Sequence, residues 1–127
     1  MKSWIKDHLH TIIPGMISKN DKLIGSFGVM GGQYQAAGHA YVLSQMIDFG
    51  LNPQLALDHS RIFPNNNVLD IENDFDLNLI NELKLKGHQI NYPVAPIGGG
   101  QIILIDEERD VLIGASDWRK DGFAIGY

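Results

Sequence analysis

Apolar residues recur along this chain at two spacings, one suited to strands and one to helices, and the spacing changes at turn residues. From His10 to Ser18 the residues Ile12, Ile13, Met16 and Ile17 read as a strand interrupted at Pro14-Gly15. The polar turn Lys19-Asn20-Asp21-Lys22 then separates it from a second apolar run, Leu23 to Met30, which predicts a hairpin. That run ends at Gly31-Gly32, where a chain can turn sharply because glycine tolerates positive φ.

Helical spacing begins at once after the turn. Residues Gln35 to Phe49 carry Ala36, Ala40, Leu43 and Ile47 on one stripe and Val42, Met46 and Phe49 on its neighbour, with Gly50 placed as a cap. So broad an apolar surface predicts a mostly buried helix. Asn52-Pro53 is a helix start that leads Gln54 to His59 into a short helix, which Arg61-Ile62-Phe63 then leaves. Asn65-Asn66-Asn67 is a turn, Val68 to Ile71 a short strand, and Leu77, Leu79, Ile80 and Leu83 mark an amphipathic helix ended by Gly87.

A short segment at Gln89 to Tyr92 and a loop holding Pro93 and Pro96 lead to Gly98-Gly99-Gly100, read as a flexible entry to a strand. Gln101 to Asp106 and Val111 to Ser116 flank the turn Glu107 to Asp110 as a hairpin, and Phe123 to Tyr127 is read as a last strand. Strands at both ends with helices between them predict an α+β layered fold, and not a parallel doubly wound one. No repeat, linker or low-complexity tract divides the chain, so residues 1–127 are expected to form one domain.

Composition narrows the function classes. The net charge is −5, and the ten basic residues are scattered: Lys84 and Lys86 lie near a helix end, and Arg119-Lys120 is answered by Asp117 and Asp121. Nucleic-acid binding needs a concentrated positive surface, so that class is disfavoured. No apolar run approaches the ~18 residues of a membrane span, and Met1 to His10 has none of the apolar character of a secretory signal. No membrane partner is expected, and a cytoplasmic setting is the default expectation. The absence of cysteine removes disulfides, thiol nucleophiles and thiolate metal sites together.

Most catalytic patterns fail on their spacing. Ser26, within Ile24-Gly25-Ser26-Phe27-Gly28, lacks the first glycine of a nucleophile elbow and the helix directly after it, so it reads as a strand serine. His8 and His10 share a face if extended, but no further ligand motif joins them or His39, His59 and His88, and no metal is expected. Gly98-Gly99-Gly100 fits neither a dinucleotide fingerprint nor a P-loop, and no cofactor is expected. Gly31-Gly32 differs, because bare backbone N–H groups between a strand and a helix N-terminus can meet a developing oxyanion; a plain tight turn remains the alternative reading.

The run Ser26-Phe27-Gly28-Val29-Met30-Gly31-Gly32-Gln33-Tyr34-Gln35, with Gly38-His39 and Ile47-Asp48-Phe49-Gly50-Leu51-Asn52-Pro53-Gln54, closely resembles the small subunit of γ-glutamyltranspeptidases. His10-Thr11-Ile12-Ile13-Pro14-Gly15, Ser60-Arg61-Ile62-Phe63, Gly98-Gly99-Gly100-Gln101 and Ser116-Asp117-Trp118-Arg119-Lys120-Asp121-Gly122 are similar to further segments of that subunit, so the likeness runs from about His8 to Tyr127. The resemblance implies part of an N-terminal-nucleophile hydrolase αββα sandwich, an antiparallel sheet with helices, in which a self-cleaving precursor exposes a threonine nucleophile whose own amine acts as base.

Carried over by position, the resemblance makes Gly31 and Gly32 the oxyanion-hole pair and sets His10 and Thr11 where better-known members hold the γ-glutamyl carboxylate with two serines. His10 departs from that pattern, which leaves room for the γ-glutamyltranspeptidase-like branch and a different acyl group. The family's Thr-Thr-His segment belongs upstream of His8, so this stretch is expected to need a nucleophile-bearing remainder of the enzyme and to be inactive alone. The implied substrate is a γ-glutamyl or other acyl amide such as glutathione. The other reading is a non-enzymatic module that pairs with a second copy of itself. Both readings expect an uncovered sheet edge and apolar face.

Overall fold

The computed structural model describes residues 12–126. Among them the elements run β1 (Gly15–Lys19), β2 (Lys22–Met30), α1 (Tyr34–Ile47), α2 (Pro53–Asp58), β3 (Ile62–Asn65), β4 (Val68–Ile71), α3 (Leu77–Leu85), β5 (Gln89–Asn91), β6 (Gly99–Asp106) and β7 (Val111–Ser116), with a 3-10 turn at Trp118–Lys120. The larger sheet has the order β1-β2-β6-β7 and is antiparallel throughout; the smaller has the order β3-β4-β5. The mixture of helix and antiparallel sheet is the α+β class that the alternation of spacings predicts.

Both hairpins of the larger sheet lie where the sequence puts them. Asn20 and Asp21 adopt left-handed φ at the β1–β2 turn, which matches the twist of the strands it joins. On β2, Phe27 and Val29 face the core while Met30 is exposed, and on β6 Ile102 is buried while Ile103 is about half exposed. That alternation leaves one face of the sheet covered by α1 and α2 and the other bare.

Three expectations need correction. Helix α1 is not mostly buried: Tyr34, Gly38, Val42 and Gln45 form its inward stripe, and of the predicted stripe Ala36, Ala40 and Ile47 are exposed while Leu43, like Met46 of the neighbouring stripe, packs half-buried against the core. A helix packed on one sheet buries one face only, and Gly38 is on that face because a side chain there would collide with Val29 and Tyr34. Residues 123–126 form no strand, and Phe123 and Ile125 are exposed. The glycine triplet is no flexible entry, since Gly98, Gly99 and Gly100 are all buried and the last two belong to β6.

The smaller sheet is only half visible in the residue pattern. The Asn66-Asn67 turn adopts left-handed φ and folds Ile62–Asn65 back as β3, a strand that Pro64 disguises and that a sheet edge tolerates. β5 then pairs parallel to β4 after the crossover through α3.

Candidate active site

Gly31 and Gly32 lie together at the turn between β2 and α1. Their φ values are +134° and +59°, both in the region that favours glycine. The first turn of α1 takes up the carbonyls of the pair, with Tyr34 N–H donating to Gly31 O at 3.1 Å and Gln35 N–H to Gly32 O at 3.2 Å. The amides of Gly31, Gly32 and Gln33 have no acceptor among the described residues, and all three residues are exposed. They are orphan donors at the positive end of a 14-residue helix.

An apolar cleft of about 300 Å³ adjoins the turn, with Met30 and Gln35 from either side of the glycine pair in its wall beside Ile12, Pro14, Gly28 and Gln101. It opens on the bare face of the larger sheet. A larger hollow of about 650 Å³ lies over β6 and β7 beside residues 123–126 and shares Gln101 with the cleft. The other two candidate residues, His10 and Thr11, lie outside the described residues. Ser26 is a strand serine, donating to Gly15 O at 3.3 Å.

Beneath the turn is a buried ionic cluster that the spacing of residues does not reveal. Arg61 Nη2 donates to Asp117 Oδ2 at 2.6 Å, and both side chains are fully buried. Arg119 meets Asp117 through Nη1 at 3.2 Å and Glu72 through Nε at 2.8 Å and through Nη2. Two guanidinium groups thus face two carboxylates. The expected local pairing of Arg119 with Asp117 is present, but the partner that completes it, Glu72, is 47 residues away. The one local signal is charge embedded in apolar surroundings at Arg61 and at Asp117-Trp118-Arg119.

The cluster grips the start of β6. Glu72 Oε1 accepts from Ile97 N–H at 3.0 Å and Arg61 Nη1 donates to Ile97 O at 2.8 Å, while Asp117 Oδ2 accepts from Gly100 N–H at 2.8 Å. Gly98, between these anchors, lies against the glycine turn: a Cβ on Gly31 would stand 2.9 Å from Gly98 Cα. The Tyr34 ring fills the space beside them, under the Arg61 guanidinium at 5.7 Å. Burial pushes the Tyr34 phenol up to about 12, with Arg61 opposing, so it stays neutral in the physiological range.

Burial pushes the Glu72 carboxyl up, but the hydrogen bonds from Arg119, Ile97 N–H and Arg61 N–H outweigh it and hold it below its ordinary value of 4.5. A carboxyl lowered by folding contributes stability that is fully present above its unfolded value and is lost as pH falls through the lowered one. The urea midpoint is therefore expected to drop on acidification from about pH 5 to about pH 3, with Glu72→Gln flattening that part of the profile. An unchanged acid slope in Glu72→Gln would contradict the placement of Glu72 in the cluster.

The solved structures share this α+β arrangement of antiparallel sheet and helices. A highly active mutant of the γ-glutamyltranspeptidase of Pseudomonas nitroreducens superposes with a TM-score of 0.83 at 21% identity, over 99% of this chain and 66% of that one. The cephalosporin acylase of Bacillus halodurans superposes at 0.79 with 44% identity, over 87% of this chain and 21% of that one. The gamma-glutamyltranspeptidase family model matches residues 5–127, and the chain belongs to that family. Among curated proteins of Bacillus subtilis (strain 168), the glutathione hydrolase-like YwrD proenzyme is 29% identical over 129 residues and the glutathione hydrolase proenzyme 26% over 122. Each match takes in 95% of this chain, which spans 25% and 21% of those proteins. Among the described residues, no helix is long and apolar enough to cross a membrane.

Proposed function

We propose that this chain supplies the oxyanion hole and part of the acyl pocket of a γ-glutamyltransferase or hydrolase acting on γ-glutamyl or related acyl amides such as glutathione. The attacking threonine comes from outside these 127 residues, on the same polypeptide or another, and these residues are inactive without it. The observation that carries this reading is the set of free amides at Gly31, Gly32 and Gln33 beside the cleft. When a hydroxyl attacks the acyl carbon, the carbonyl oxygen gains negative charge, and preset N–H donors stabilise that charge more than they stabilise the neutral amide. The α1 N-terminus adds a dipole of the same sense. In this reading His10 and Thr11 bind the acyl group of the substrate.

The test is release of p-nitroaniline from L-γ-glutamyl-p-nitroanilide by the chain alone and by the chain joined with a nucleophile-bearing part. Activity only in the joined form is expected, and Gly31→Ala should lower turnover there roughly a hundredfold, the usual worth of an oxyanion donor, because φ +134° and a Cβ 2.9 Å from Gly98 Cα force the turn and its N–H groups out of place. Unchanged turnover in Gly31→Ala would remove the pair from the chemistry. The outer sheet face, with Ile103, Ile105 and Leu112 exposed, favours one other reading, a self-associating module without chemistry. Silence in both forms together with a stable oligomer would establish that reading.

A further inference from the structure

Resting on the assignment of the glycine pair as the oxyanion hole, we propose that Glu72 is a positioning residue for that hole, acting through Ile97 and Gly98. Glu72 lies just past β4 in the smaller sheet and takes no part in the wall of the cleft. Its carboxylate accepts four hydrogen bonds: Oε1 from Ile97 N–H at 3.0 Å and Arg119 Nε at 2.8 Å, and Oε2 from Arg61 N–H at 2.9 Å and Arg119 Nη2. Arg61, held through its own N–H by Glu72, returns Nη1 to Ile97 O at 2.8 Å. Both peptide groups that flank Ile97 are therefore fixed by one carboxylate, directly on one side and through Arg61 on the other.

The residue after Ile97 is the wall against which the oxyanion turn rests. Gly98 bends with φ +66°, and a Cβ on it would stand 2.6 Å from Met30 O and 2.6 Å from the Tyr34 ring. Two backbones in direct contact cannot shift independently, so a displacement of Ile97 passes through Gly98 to Met30 and Gly31. Strand pairing reinforces the link, since Gly99 is opposite Met30 and Gly100 opposite Val29. An oxyanion hole acts through donors placed to within a fraction of an ångström, whereas ground-state binding of the acyl group depends on the cleft walls. Loosening Glu72 should consequently reach kcat and leave KM.

Two variants separate this role from a purely structural one. Glu72→Gln keeps the size but turns an NH2 group toward donors, and Glu72→Asp keeps the charge for Arg119 but is one methylene too short to reach Ile97 N–H. In the joined, nucleophile-bearing enzyme, at a temperature where circular dichroism shows each variant folded, both should lower kcat by roughly tenfold to a hundredfold with KM within about twofold. With [15N]glycine labelling, the amide signals of Gly98, Gly31 and Gly32 should move in Glu72→Asp while those of Gly50 and Gly87 stay. Loss confined to KM, or unmoved Gly31 and Gly32 signals, would overturn the proposal. Gly31→Ala run beside them separates the two levels: its Cβ would stand 2.9 Å from Gly98 Cα and displaces the turn, so if it is harmless the oxyanion assignment fails, and if it abolishes turnover while Glu72→Asp is silent, only the positioning role fails.

Discussion

Replacing Arg61 with methionine is expected to destabilise the fold by about 3–5 kcal/mol, the usual consequence of stripping one partner from a buried ion pair. Arg61 is fully buried, and with it the cluster of Arg119, Glu72 and Asp117 is electrically balanced. Without it one negative charge remains uncompensated beside Asp117, and the carbonyls of Ile97 and Leu57 lose its donors. Lysine should recover only part of the loss, because one ammonium cannot bridge Ile97 O, Leu57 O and Asp117 as the guanidinium fork does. The exposed pair Lys22–Glu107 supplies the contrast: its partners are 67% and 58% exposed, and Lys22→Ala should change stability by less than about 1 kcal/mol. Urea unfolding followed by circular dichroism measures both. A loss below about 1 kcal/mol in Arg61→Met would mean that the cluster is not held together as described.

The second large effect is expected at Gly98. Alanine there takes a left-handed φ that costs about 1–2 kcal/mol, and its methyl meets Met30 O and the Tyr34 ring, where overpacking adds about 1–3 kcal/mol. Gly32→Ala is the internal comparison, since its φ of +59° is similar but nothing lies within 4 Å of the added Cβ. The urea midpoint of Gly98→Ala should therefore fall well below that of Gly32→Ala. If the two variants unfold alike, the backbone contact between Gly98 and the glycine turn does not hold.

The outward stripe of α1 shows where pattern reading meets its limit. Ala36, Ala40, Leu43 and Ile47 make an apolar helical stripe of which only Leu43 touches the core, whereas the inward stripe contains Gly38 and Gln45. Period alone locates the helix without saying which side faces the sheet. The same holds for β3, whose Pro64 argues against a strand until the Asn66-Asn67 turn and the pairing with β4 are seen. At the site, the turn at Gly31-Gly32 is visible because it depends on adjacent residues.

Elements with local causes can be read from the residues alone. The β1–β2 and β6–β7 hairpins come from alternation around polar turns, α2 from Asn52 accepting the Leu55 N–H before Pro53, and the family from motifs spread along the chain. It takes the folded chain to show that Gly98 rests on Gly31, and that Glu72, Arg61, Asp117 and Arg119 close into one cluster behind them. Apart from the local pair Asp117–Arg119, those contacts join residues tens of positions apart. Their energies come from excluding water around paired charges, which no local spacing records.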